Sequence, residues 1–111
     1  MRSDRERLLD ILESVERIEA QAARGRGAFA ADEVSQTAVV RWVEIIGEAA
    51  RGLTEELRRA HPEVPWRQMV AMRNVLIHGY FDIDVDLVWS VAENDLPKLA
   101  AQVRAILEET A

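Results

Sequence analysis

Apolar residues recur every three or four positions along four stretches of the chain, and this spacing is the feature that most restricts its fold. Such spacing places apolar side chains along one face of an α-helix. The first stretch begins with a capping box between Ser3 and Glu6. Its apolar stripe consists of Leu8, Ile11, Leu12, Val15, Ile18 and Ala22. The alternating pattern of a β-strand is not found, so the sequence predicts an all-α protein.

The second stretch contains an unusual glycine. Asp32 is suited to be the N-cap of this helix, and Gly52 to end it. Gly47 lies inside the helix, where glycine costs about 1 kcal/mol relative to alanine. We therefore expect Gly47 to allow the close approach of another helix or protomer. The core face of this helix is predicted to contain Val39, Trp42, Val43, Ile46, Ala50 and Leu53.

Helix-breaking residues divide the rest of the chain. Residues 24–29 contain two glycines and predict a mobile interhelical loop, whose Arg24 and Arg26 could reach RNA. Residues 54–60 predict a short helix, and Pro65 suits the first turn of a third long helix. The sequence at 94–97 predicts a kink or a break in the C-terminal helical region, which Asp84 or Asp86 would cap. We expect an up-and-down bundle of four to five main helices, forming one domain over residues 1–111.

Composition narrows the function. The 111 residues include no cysteine, which excludes a disulfide framework and cysteine zinc sites. No apolar run approaches the roughly 20 residues of a membrane span, so we expect a soluble cytoplasmic protein. The net charge of −6 argues against a non-specific nucleic-acid coat. However, 13 of the 14 basic residues are arginine, the residue type suited to bidentate phosphate contacts.

The residues that carry chemistry cluster at 73–80. Helical winding puts Arg73 in the middle of an apolar face, so its guanidinium needs a carboxylate, a phosphate, carbonyl groups or water. His78 follows Asn74 by four residues, and the Asn74 amide could hold one tautomer of its ring. Gly79 is expected to end the helix, which places His78 in the last turn. A polar stripe that could line a groove consists of Arg67, Ala71, Asn74 and His78.

A plainer interpretation of these residues is structural. Arg73 could pair with a buried carboxylate such as Glu44 or Glu48, while His78 caps the helix. His61 precedes a proline and is predicted to be an ordinary surface histidine. The acidic residues at 82–86 lack the glycine and glutamate of an EF-hand, so we interpret them as helix caps and expect no metal site.

The order Arg73, four residues, His78, one residue, Tyr80 resembles the signature of the HEPN superfamily. Together with the string at 65–67, Ile83-Asp84 and Val88-Trp89, it resembles the HepT-like toxins over most of the chain. Asp82 departs from the usual glycine, which affects only the expected loop shape. The resemblance implies a homodimeric helical bundle with both motifs facing one cleft. It also implies a metal-independent endoribonuclease that needs no cofactor.

The resemblance further implies a partner, a nucleotidyltransferase antitoxin of the MNT type that transfers AMP to Tyr80. His78 would act as general acid or base on the ribose 2′-OH and the leaving oxygen, and Arg73 would stabilise charge on the phosphoryl oxygens. Asn74 would orient His78, and Arg67 could contact RNA. The acidic protein would make few phosphate contacts, with a shallow salt dependence. The alternative is a non-catalytic module that binds a nucleotide or a partner.

Overall fold

The computed structural model describes residues 2–78 and 82–109, except for the side chain of His78. Helices make up nearly all of this part of the chain. They are α1 (Asp4–Ala22), α2 (Arg26–Ala30), α3 (Glu33–Gly52), α4 (Glu55–Ala60), α5 (Trp66–Leu76), α6 (Val85–Ser90), a π-helical turn (Val91–Asp95) and α7 (Leu96–Glu109). A two-stranded antiparallel ribbon, β1 (Ile77–His78) and β2 (Asp82–Ile83), connects α5 to α6.

The starts of α1 and α3 confirm the capping predictions. The Ser3 hydroxyl accepts the Glu6 amide, and the Glu6 carboxylate accepts the Ser3 amide. These hydrogen bonds lower the pKa of Glu6. The Asp32 carboxylate accepts the amides of Val34 and Ser35. The Ser35 amide, followed by Arg24, lowers the pKa of Asp32. Both helices therefore begin where the sequence places them.

The core lies between the long helices. Helix α1 packs against α3 on one side and α7 on the other, and α3 also packs against α5. All-α architecture is thus confirmed. The predicted stripes supply the core, with Trp42, Leu12 and Ala22 only partly buried at its edge. Residues less than 2% exposed include Leu8, Ile11, Ile18, Ile46, Met69, Leu76, Leu96 and Ile106.

Gly47 brings α3 and α5 close together, as the sequence predicted. A Cβ atom at Gly47 would lie 3.1 Å from the Met69 carbonyl oxygen and 3.3 Å from that of Val70. Both neighbours are backbone atoms inside α5, so they cannot rotate away as a flexible side chain could. The missing side chain therefore sets the separation of these two helices.

Residues 26–30 form the short helix α2, with Gly25 at a positive φ of 100° before it, so the prediction of a loop is wrong. Where the sequence predicted a kink or a break at 94–97, a π-helical turn joins α6 to α7. The sequence also gave no signal for the β1–β2 ribbon, because two-residue strands are too short to show alternation.

The largest difference concerns the end of α5. The helix ends at Leu76, and Ile77 is extended, with φ −118° and ψ 128°. Ile77 pairs with Ile83 across the ribbon, and the Asp84 amide donates to the Leu76 carbonyl at 2.8 Å. Two β-branched residues facing each other favour strand over helix here. His78 consequently lies in β1, and the prediction that it occupies the last helical turn is wrong.

Few large apolar side chains are exposed in the described part of the chain. Large apolar residues exposed in the described part of the chain are Leu9, Val34 and Val75. Val75 borders an apolar groove of about 470 Å³ between α5 and α7, which Met72, Leu87 and Leu99 also line. No described helix is long and apolar enough to cross a membrane.

The substitution Gly47→Ala should lower the free energy of unfolding by about 1 kcal/mol, because overpacking against the α5 backbone outweighs the gain in helix propensity. Urea denaturation would measure this change. Gly27→Ala is the matched control, since Gly27 is also helical but a Cβ there would meet no atom within 4 Å. That variant should be stabilised by up to about 1 kcal/mol. Equal stabilisation of both variants would contradict the close approach.

Candidate active site on the α3–α5 seam

Helices α3 and α5 run antiparallel, and their line of contact positions the candidate site. Arg73 on α5 lies beside Glu44 on α3, while Gly47 lies beside Met69 and Val70. Continuing in the same register, Arg51 borders the same groove as Arg67. We call this line of contact the α3–α5 seam. It carries polar residues from Arg73 at one end to Arg67 at the other.

Arg73 is held by a carboxylate but remains accessible. Its Nε donates to Glu44 Oε2 at 2.8 Å, and its side chain is 47% exposed. It therefore lies on the α3 side of α5, where it is not enclosed by the apolar residues around it. The predicted need for a partner is confirmed, and one of the two carboxylates proposed for the structural interpretation, Glu44, is that partner.

Glu44 is shared between two arginines. Its Oε1 accepts from Arg41 Nη1 at 2.6 Å, while Oε2 accepts from Arg73. Arg41 also lies 3.9 Å from Glu48. Two cations around Glu44 fix the direction of its carboxylate, which in turn fixes the plane of the Arg73 guanidinium. Within the described residues, Nη2 of Arg73 makes no hydrogen bond, so one edge of the guanidinium is available to an anion.

A cleft of about 260 Å³ opens beside this pair. Its lining includes Glu44, Glu48, Arg51, Arg73 and Asn74. Asn74 is exposed, and its Oδ1 lies 3.5 Å from Nη1 of Arg73, at the limit of a hydrogen bond. The sequence analysis assigned Asn74 to His78 through helical spacing. Because α5 ends at Leu76, helical spacing does not relate the two residues. Asn74 contacts Arg73, and the His78 ring lies outside the described residues.

The other motif residues are placed only in part. The backbone of His78 lies in β1 and pairs with Asp82 of β2. Its side chain, Gly79 and Tyr80 lie outside the described residues. The structure thus puts Arg73 on a helix and His78 on a ribbon, whereas the sequence analysis put both on one helix.

A second groove, of about 630 Å³, adjoins the cleft. Arg51 and Val70 line both. Arg58 from α4 and Arg67 from α5 also line it. The sequence analysis singled out Arg67 and missed Arg51 and Arg58. Arg51 follows Gly47 by one helical turn, so its position on the seam could have been predicted from the sequence. The placement of α4, and therefore of Arg58, could not.

Other candidates from the sequence are accounted for structurally. Arg24 pairs with Asp32 and Arg26 pairs with Asp86, so both loop arginines have carboxylate partners. The His61 side chain is only 15% exposed, with ring nitrogens 3.3 Å from Glu63 and 3.6 Å from Glu109. It is less exposed than predicted. The carboxylate of Asp84 accepts the Leu87 amide and caps α6. Of the two caps that the sequence predicted, Asp84 is therefore confirmed.

Comparison with known proteins identifies the family. A family model described as "Ribonuclease HepT-like" matches residues 11–106. A protein of Thermococcus cleftensis named "Probable ribonuclease HepT" is 42% identical over 99 residues, which is 88% of this chain and 90% of that protein. A "Putative RNase" of Methanocaldococcus jannaschii is 41% identical over 100 residues, which is 89% of this chain and 92% of the relative. No solved structure matches significantly. The chain belongs to the HepT-like ribonuclease family.

Proposed function

We propose that this protein is a metal-independent endoribonuclease and the toxin of a HepT/MNT toxin–antitoxin pair. Membership of a ribonuclease family supports the reaction class. The observation that carries the proposal is the accessible Arg73 guanidinium, which Glu44 holds at a cleft large enough for a phosphate group. An arginine present only for stability would not need a free edge directed at a cleft.

In the proposed reaction, the ribose 2′-OH attacks the adjacent phosphorus. His78 takes the 2′-OH proton, or returns one to the 5′ oxygen as the bond between phosphorus and that oxygen breaks. The products are a 2′,3′-cyclic phosphate and a 5′-hydroxyl, and no other reactant is consumed. Arg73 stabilises the negative charge that grows on the non-bridging oxygens. Asn74, hydrogen-bonded at the edge of Arg73, would contact the same phosphate or its sugar.

A second candidate function is binding without catalysis. The same cleft could hold a nucleotide or partner phosphate, and the acidic character of the chain fits that reading. If Arg73 only binds an anion, this protein would show affinity for RNA without cleaving it. The first experiment below separates the two.

Purified protein should cleave RNA in the presence of EDTA and leave 2′,3′-cyclic phosphate ends. Arg73→Ala and His78→Ala should each reduce the rate by at least about 100-fold, as expected for loss of a charge-stabilising or proton-transferring group. Gel analysis and mass spectrometry of the products would measure this. Activity that requires added divalent metal would contradict the mechanism.

Stability measurements exclude unfolding as the cause of that loss. Because Arg73 is half exposed and Glu44 keeps Arg41 as a partner, Arg73→Ala should cost less than about 1 kcal/mol. Leu76→Ala, at a fully buried neighbouring position, should cost about 2–5 kcal/mol. Leu76→Ala therefore serves as the reference for a loss of activity that is caused by loss of stability.

We propose that two copies form a dimer in which the two motifs face one cleft. Val75 is a candidate contact for this dimer, because it is 53% exposed on α5 beside the apolar groove between α5 and α7. Light scattering at micromolar concentration should give twice the 12.6 kDa chain mass. Val75→Asp should shift the mass toward that of a monomer, whereas Val34→Asp, at an exposed residue of α3, should not. A monomeric wild-type protein would overturn the shared cleft.

We propose that the MNT-type nucleotidyltransferase neutralises the toxin by transferring AMP from ATP to the Tyr80 hydroxyl, with release of pyrophosphate. Each AMP would add bulk and a negative phosphate that compete with RNA for the nearby arginines. Co-expression followed by intact mass measurement should show one or more additions of AMP, absent in Tyr80→Phe. An unmodified toxin in a stable inhibited complex would support steric blockade instead.

A further inference from the structure

Three arginines from three helices converge at the far end of the α3–α5 seam. Arg51 of α3, Arg58 of α4 and Arg67 of α5 line the groove of about 630 Å³ that adjoins the Arg73 cleft. Its other lining residues are Val64, Pro65, Trp66, Gln68 and Val70. No Asp or Glu in the described part of the chain lines this groove. Three arginines in a groove that no described carboxylate lines are unexpected on a protein with a net charge of −6.

Most arginines in the described part of the chain form ion pairs with carboxylates, namely Arg2, Arg17, Arg24, Arg26, Arg41, Arg59, Arg73 and Arg104. Arg5 instead donates to the Leu107 carbonyl. By contrast, none of the three groove arginines pairs with a carboxylate among residues 2–78 and 82–109. Arginines usually find a partner on an acidic surface, so this trio indicates a site kept open for an external anion.

The start of α5 reinforces the positive potential. This 11-residue helix begins at the groove, with Pro65 as an N-cap that makes no side-chain hydrogen bond. Its first turn contains no acidic residue. The Trp66 amide donates to the Val64 carbonyl, and the positive end of the helix dipole acts on the same space as the three guanidinium groups.

The groove lies in line with the proposed cleavage site. Arg67 and Arg73 are six residues apart on α5, roughly 9 Å along the helix axis. Arg51 and Val70 line both depressions, so the two are adjacent on the seam. An anion with phosphates repeated along a flexible chain could occupy both ends together, whereas a single phosphate could occupy only one.

We propose that the Arg51–Arg58–Arg67 groove binds the phosphates of a single-stranded RNA substrate on one side of the cleaved bond. This inference rests on the proposed ribonuclease function and extends it from one phosphate to a stretch of substrate. It also changes the prediction of a shallow salt dependence that the sequence suggested. We expect the salt dependence of RNA binding to be steeper than a single arginine contact would give.

The test compares two triple variants of equal charge in a His78→Ala background, which prevents turnover. One carries Arg51→Gln, Arg58→Gln and Arg67→Gln. The control carries Arg2→Gln, Arg17→Gln and Arg104→Gln, whose arginines are ion-paired on α1, α7 and the N-terminus. Fluorescence anisotropy would follow binding of labelled eight-nucleotide and two-nucleotide RNAs over a range of salt concentrations.

The groove variant should bind the eight-nucleotide RNA at least ten-fold more weakly than the control variant. Its slope of log binding constant against log salt should be shallower by about 2, from three lost contacts at roughly 0.7 each. The advantage of the longer RNA over the shorter one should shrink in the groove variant alone. Arg→Lys changes at the three positions should restore much of the salt slope, because charge is retained.

Two results would overturn this inference. If both triple variants bind RNA equally, the groove does not hold substrate. The proposed function would still stand in that case if the wild-type protein cleaves RNA and Arg73→Ala does not. If the groove variant loses affinity for ATP or triphosphate but not for RNA, the site serves a free nucleotide. Absence of any RNA cleavage by wild-type protein would instead contradict the proposed function itself. Urea denaturation of each variant confirms that the compared proteins are folded.

Discussion

The close packing of α3 on α5 at Gly47 is the contact on which the site depends. A missing side chain brings two backbones together, and the antiparallel register then determines which residues face each other. Glu44 meets Arg73 on one side of this contact, and Arg51 comes beside Arg67 on the other. Moving the helices apart by the thickness of a methyl group would lengthen the Glu44–Arg73 hydrogen bond and widen both depressions. Packing and chemistry are therefore linked through one glycine.

Electrostatics along the seam changes from balanced to unbalanced. Around Arg73, the charges of Arg41, Glu44 and Glu48 nearly cancel, which holds one guanidinium in a fixed direction without attracting every passing anion. Farther along, Arg51, Arg58 and Arg67 line a groove to which no described Asp or Glu contributes. An acidic protein that repels nucleic acid over most of its surface can still accept it along such a line, which favours one orientation of the strand over many.

Much of the fold could be predicted from the sequence, because long amphipathic stripes and local caps are encoded by neighbours. The Ser3 and Asp32 caps and the stripe of α1 depend on residues within one or two turns. Gly47 signalled the close approach of a helix, but its partner α5 lies far away in the sequence. The end of α5 could not be predicted this way. Gly79 offered a local stop signal, but pairing of Ile77 with Ile83 and the hydrogen bond from Asp84 to Leu76 stop the helix earlier. These contacts join residues that are six and eight positions apart, 77 with 83 and 76 with 84, and helical periodicity does not detect such pairings. The sequence analysis proposed Glu44 among the partners of Arg73. It did not predict the contribution of Arg58, because the position of Arg58 depends on how α4 packs.

The π-helical turn at Val91–Asp95 separates the helical phase of α6 from that of α7. A π turn holds an extra residue that an ordinary α-helix would not contain. A family member with one residue fewer at this place could continue as a regular helix and still direct both apolar stripes at the core. Removing one residue from this turn would therefore leave α5 and the seam in place. Removing one residue between Arg67 and Arg73 would instead rotate one of these arginines by about 100° around the axis of α5.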